Sequence, residues 1–183
     1  MRARKTTSII ALALTAGLAA ASPAAAATSC ADATATPGAA SQKTMQAATL
    51  CLLNEERSAR GLAPLKGHKK LEKAAFRFSK EMVSKRFFDH VSPSGSTLTT
   101  RIKKVKYTKG ARSWSIGENI AWGTGSQATP ERIVDAWMNS PGHKRNILDP
   151  RFREIGVGIV QGAPVATAAK VGATYTTNFG FRG

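Results

Sequence analysis

Three side chains able to hold a proton or a metal ion sit in apolar or turn-rich settings: His90 in FFDHVSP, Glu118 in SIGENIAWG and His143 in WMNSPGHKRNIL. An imidazole titrates near neutrality and is a common metal ligand, and a carboxylate can serve as base, hydrogen-bond acceptor or third ligand. The three are separated by 28 and 25 positions, so no local signature of the HExxH kind joins them and only the fold can bring them together. On the residues alone two readings stay open. One is a shared cleft with a catalytic or metal site; the other is two hydrogen-bonded structural histidines with a capping or strand-end glutamate. The third histidine, His68, lies in Gly67-His68-Lys69-Lys70 and reads as an exposed helix-start residue. Ser92 or Ser140 with a histidine and Glu118 has the composition of a serine triad, but no nucleophile elbow accompanies it. Asp89 adjoins His90 and points the other way if the chain there is extended.

Each of the three follows an element that must position it. Thr129-Pro130-Glu131 starts a helix with Thr129 as N-cap, and Ile133, Val134 and Trp137 form its inner stripe. Ser140-Pro141-Gly142 is expected to stop that helix and hold His143 at its edge. A second helix over Lys69 to Lys85 repeats Leu71, Ala74, Ala75, Phe78 and Met82 at helical offsets. Phe87 and Phe88 are expected to close it against the core and deliver His90, before Val91 to Gly95 turn. Trp114 to Trp122 reads as a strand with Glu118 in its approach.

The remaining elements are scaffold. Thr44 to Arg60 is helical, with Leu50 and Leu53 buried, Asn54 to Arg57 on the solvated face (Asn54 alternatively an inward polar tie), and Gly61 as the stop. Leu98 to Val105 is a short helix with Ile102 inward. Residues 155–160 and 174–179 are strands joined by a small-residue connection. Helices first and strands later argue for an α+β domain with an antiparallel sheet.

Arg2, Arg4 and Lys5 precede an apolar run from Ile9 to Ala21 and small residues from Ser22 to Ala27, the pattern of a secretory signal over residues 1–27. The run is too short and alanine-rich for a comfortable membrane span, and no later stretch reaches that length. Removing those three basic residues from a chain of 183 residues and charge +16 leaves 156 residues carrying +13, one domain's worth. The surplus favours anionic polymers or lipids outside the cell; nucleic acid is not expected, because no aromatic-interleaved basic motif is present. Cys30 and Cys51 are an even pair in an exported chain and read as a disulfide, tethering an arm over residues 28–43 to the first helix.

The ordered motifs LNEERSARGLAPL, FFDHVSPSG, GENIAWG, WMNSPGHKRNIL, IGVGIV and YTTNFG resemble the CAP superfamily of cysteine-rich secretory, antigen 5 and plant pathogenesis-related proteins, most narrowly its short secreted bacterial members. The resemblance runs from about Thr44 to Gly180, within a domain of residues 44–183. It implies a three-layer α-β-α sandwich around a central antiparallel sheet, with a cleft lined by two histidines and two acids that in some members binds a divalent cation. His90, Glu118 and His143 match three of the four positions. Ser140 stands where the second acid is expected, three residues after Trp137, and Glu131 lies too early to replace it. The expected protein is a secreted, monomeric binding module for a lipid, another amphiphile or an anionic wall polymer. Zn²⁺ or another divalent cation is the expected cofactor, on His90, His143 and Glu118. The alternative is an extracellular metal-dependent hydrolase or protease, which would still need a separate base.

Overall fold

The computed structural model describes residues 30–169 and 171–183. The leader-like segment of residues 1–27 lies outside them. In chain order the elements are α1 (Gln42–Ser58), β1 (Lys66–Gly67), α2 (Lys69–Lys85), α3 (Leu98–Lys104), β2 (Trp114–Thr124), a single 3₁₀ turn (Gly125–Ala128), α4 (Pro130–Met138), α5 (Pro141–Ile147), β3 (Glu154–Gln161) and β4 (Gly172–Arg182). The sheet order is β1-β3-β4-β2. β4 is central and antiparallel to both β2 and β3. The two-residue β1 adds a parallel edge to β3 through Lys66 and Gly67, which the hydrophobic pattern does not announce.

Alternation along the strands assigns the two faces. Ile155, Val157 and Ile159 of β3 and Tyr175 and Phe179 of β4 join Leu53 of α1, Ile133, Val134 and Trp137 of α4 and Ile147 of α5 in the main core. Gly156 and Gly158 face the other way, onto α2. A Cβ at Gly156 would lie 1.9 Å from the Glu72 nitrogen and one at Gly158 2.1 Å from the Phe76 nitrogen, so α2 rests on bare backbone. Smaller clusters complete this second layer: Leu71, Ala74, Ile102 and Tyr107, then Phe78, Met82 and Ile120. The sheet is therefore covered by α2 and α3 on one face and by α1, α4 and α5 on the other.

Helix ends follow the sequence signals in most places. Ser41 caps α1 and Thr97 caps α3 through their hydroxyls, and Thr129 accepts from the Arg132 nitrogen at the start of α4. His68 is the N-cap of α2, its Nδ1 accepting from the Lys70 nitrogen, and it is partly buried where an exposed helix-start residue was expected. Burial pushes its pKa down. Three further expectations are corrected. Pro141 does not leave His143 in a turn: it opens α5, whose first position suits a residue lacking an N–H, and His143 lies on that helix. Phe88 is 39% exposed, and only Phe87 packs back, edge-on to Phe78. Arg57 is fully buried, and not on a solvated face.

The cysteine pair forms the disulfide Cys30–Cys51, with Cα atoms 5.7 Å apart. The arm is also held by the Glu131 nitrogen, which donates to the Ala33 carbonyl and ties the arm to the start of α4.

Candidate functional site

Glu118 lies on the second strand facing α2 and α3, opposite Asn178 in the β2–β4 register. Its side chain is almost wholly buried, which requires every charge on it to be matched. Arg101 of α3 does most of this. Its Nη2 donates to both carboxylate oxygens at 2.8 Å, and its Nη1 donates to the carbonyls of Ser96 and His90. The guanidinium also stacks 3.4 Å from the Phe78 ring centroid. Asn178, with its amide nitrogen toward the carboxylate, donates to Glu118 Oε2 at 3.0 Å while its oxygen accepts from the Ala75 nitrogen of α2.

His90 closes the set from above: its Nδ1 lies 2.9 Å from Glu118 Oε1. The hydrogen bond to Glu118 raises the imidazole's pKa above its ordinary value of 6.5, with burial opposing. About half of the His90 side chain stays exposed. The chain bends at Asp89 and is not extended there, and the Asp89 carboxylate accepts from the Val91 nitrogen within that bend.

His143 arrives from the opposite face. Helix α5 is fastened to the strand by two asparagines: Asn119 Nδ2 donates to the His143 carbonyl, and Asn146 Nδ2 donates to the Glu118 carbonyl and to Asn119 Oδ1. Because β2 is an edge strand, elements on both faces can reach across its rim. His143 is near enough to His90 for the two charges to repel, and burial first, then His90, push its pKa down. Its Nδ1 is buried without a hydrogen-bond partner. The site thus pairs an imidazole biased toward its charged form with one biased toward neutrality.

The other candidates make no side-chain hydrogen bond to His90, Glu118 or His143 among the described residues. Ser140 is the N-cap residue of α5 but makes no side-chain cap. Ser92 is buried and hydrogen-bonds to Ser94 and to the Ser96 nitrogen within its own turn. Glu131 sits in the first turn of α4. Arg101, Asn119, Asn146 and Asn178 are the partners that reading for titratable groups overlooks. Arg101 carried a signal, since it falls on the stripe made by Leu98, Ile102 and Val105.

The fit to a divalent cation turns on Glu118. Both of its oxygens already accept two hydrogen bonds each, one set from a guanidinium whose charge would repel a metal ion. Among the described residues, the one set of three candidate ligands with donor atoms within 4.8 Å of one another is Cys30, Cys51 and Glu55, and there both sulfurs are spent on the disulfide. As arranged, His90, Glu118 and His143 do not fit a three-ligand zinc centre, which requires a free carboxylate oxygen beside both imidazoles.

Comparison with known proteins places this architecture. The chain is 42% identical over 121 residues to the Bacillus subtilis protein YkwD, an alignment that covers 66% of the chain and 44% of YkwD. It therefore spans less than half the length of that relative. An extracellular SCP-domain protein of Bacillus anthracis superposes with a TM-score of 0.58 at 28% identity, over 76% of this chain and 43% of that one. A Borrelia burgdorferi outer surface protein shares the fold with the same TM-score at 24% identity, over 73% and 90%. Residues 50–176 match the model of the cysteine-rich secretory protein family, CAP, and the chain belongs to that family.

Proposed function

We propose that this chain is a secreted binding domain whose cleft at the β2 rim takes the polar group of an amphiphile or wall component between His90 and His143, without a bound metal and without bond cleavage. The observation that carries this reading is the filled carboxylate. A glutamate that accepts from Arg101, His90 and Asn178 has no lone pair left to activate water or act as a nucleophile. Its work is to fix His90 and bias it toward the charged form. His143 supplies the complementary neutral ring, whose buried Nδ1 seeks a partner. Phe88 and Val91, on either side of His90 in sequence, are 39% and 46% exposed and offer apolar contact to an amphiphile's tail. Secretion is supported by the leader-like first 27 residues and by relatives described as extracellular or outer-surface proteins.

The test is an NMR titration of the histidine side chains with sub-micellar lysophosphatidylcholine. Shifts at His90 and His143, abolished in His143→Ala with the fold intact, are the expected result. Glu118-dependent turnover of an ester or peptide substrate, lost in Glu118→Gln at unchanged folding, would replace this reading with the hydrolase.

A further inference from the structure

Away from the cleft, at the end of the sheet where β2 begins and β4 finishes, two hollows share Arg153 and Phe181 and so form one groove, of about 720 and 580 Å³. Lys66, Lys109 and Arg182 line the larger part with Arg153, and Arg151 and Trp114 line the smaller. The only side-chain carboxylate in the wall is Glu154, and it is already engaged: Tyr107 donates to it at 2.6 Å and Arg182 lies 3.2 Å away. The main chain of Gly183 also lines the larger hollow, its carbonyl accepting from the Arg112 and Ser113 nitrogens. Lys66 and Lys109 are exposed and make no side-chain hydrogen bond or ion pair among the described residues. Trp114 is 39% exposed, at the start of a strand that becomes buried from Gly117 to Ile120.

We infer that this groove is a second binding site, for an anionic polysaccharide. Arg151 is held by Asp149 and Arg182 by Glu154, so Lys66 and Lys109 supply the free attraction for the polymer's acidic groups. Arg153, which has no carboxylate partner among the described residues, adds a planar donor suited to carboxylate, sulfate or phosphate. The exposed indole of Trp114 and the ring of Phe181 give flat apolar faces on which the C–H side of a sugar ring can lie. That combination favours a glycan over a membrane surface, because one half-exposed tryptophan beside a partly buried phenylalanine among cations is no large contiguous apolar patch. The groove shares no residue with the His90–Glu118–His143 cleft, so it stands or falls independently of the reading above.

The test is calorimetric titration of the whole chain with a heparin decasaccharide, and with linear polyphosphate of equal charge, at two salt concentrations. Lys66→Ala/Lys109→Ala is expected to weaken heparin binding about tenfold and to flatten its salt dependence. Lys43→Ala/Lys80→Ala removes the same charge from exposed positions outside the groove, and is expected to cost less than about twofold. Trp114→Ala is expected to weaken heparin about fivefold and to leave polyphosphate unchanged. Equal losses in the two lysine pairs would reduce the groove to diffuse surface charge. Unchanged heparin binding in Trp114→Ala, or tighter binding to phosphatidylglycerol vesicles than to heparin, would overturn the glycan assignment.

Discussion

Arg57 and Arg101 are both buried guanidinium groups, yet they meet opposite surroundings. Arg57 makes no ion pair with a carboxylate: its nitrogens donate to the carbonyls of Ala63, Ile147, Asp149 and Phe152, and so pin the chain after α1 to the end of α5 and the segment that follows it. Burial, reinforced by Arg153, lowers its pKa. Arg101 meets Glu118 and two carbonyls and leaves its Nε without a partner. One cation is a clasp between loops. The other is a built-in counter-ion for the carboxylate that was expected to hold a metal, and its two hydrogen bonds occupy both carboxylate oxygens. Replacing a charged clasp costs stability alone, whereas replacing the counter-ion also changes the chemistry of the cleft.

The largest expected effect is that of Arg57→Met, which strands four carbonyls in the interior and lowers unfolding free energy by about 4 kcal/mol, with the cleft histidine resonances unmoved. A loss below about 1 kcal/mol by urea denaturation would erase the distinction. Arg101→Met comes next at about 3 kcal/mol, because it leaves a buried carboxylate uncompensated, and it raises the His90 pKa further, since Arg101 is among the groups lowering it. Adding Glu118→Gln to that variant should recover part of the stability; a strictly additive double variant would mean the two groups do not act as a pair. Reduction of Cys30–Cys51 opens a link across 21 positions and should cost about 3 kcal/mol without shifting either imidazole. Thermal melts with and without a strong reductant measure it.

The smallest effects belong to the histidines, and their signs differ. His90 has a raised pKa, so its contribution is full below the unfolded value of 6.5 and is lost as pH rises through the raised value. His143 has a lowered pKa, so its contribution is present above 6.5 and is lost as pH falls through the lowered value. The stability difference between wild type and His90→Ala should be larger at pH 5 than at pH 8, and that for His143→Ala should be larger at pH 8. Both should stay under about 1 kcal/mol, as expected of half-exposed or partly buried groups. Matching trends in the two variants would show that the imidazoles do not sit in opposed environments.

Much of the scaffold was legible because it depends on period and punctuation. The bounds of α2 follow from its stripe, and Thr129-Pro130 marks the start of α4. The two arginines were not read, although each lies in line with an apolar row: Arg57 continues Met45, Thr49 and Leu53 at four-residue steps, and Arg101 shares the face of Ile102. For Arg57 charge suggests exposure, and only its tertiary partners decide otherwise. The contact between His90 and Glu118 depends on the loop between α2 and α3 folding back over β2, which no spacing rule encodes. Pro141 illustrates the remaining ambiguity, since one residue type both ends a helix and opens one.

The glycines beneath α2 carry a consequence for how the domain can change over time. With nothing but hydrogen at Gly156 and Gly158, helix and strand touch like stacked plates, and there is no side chain whose trimming or growth could tune the gap. Even one added methyl must jack the whole helix upward, taking the Ala75 anchor away from Asn178 and loosening the hold on Glu118. Variation is then channelled to the rim and the outer loops, where ligand preference can drift while the slab underneath stays rigid.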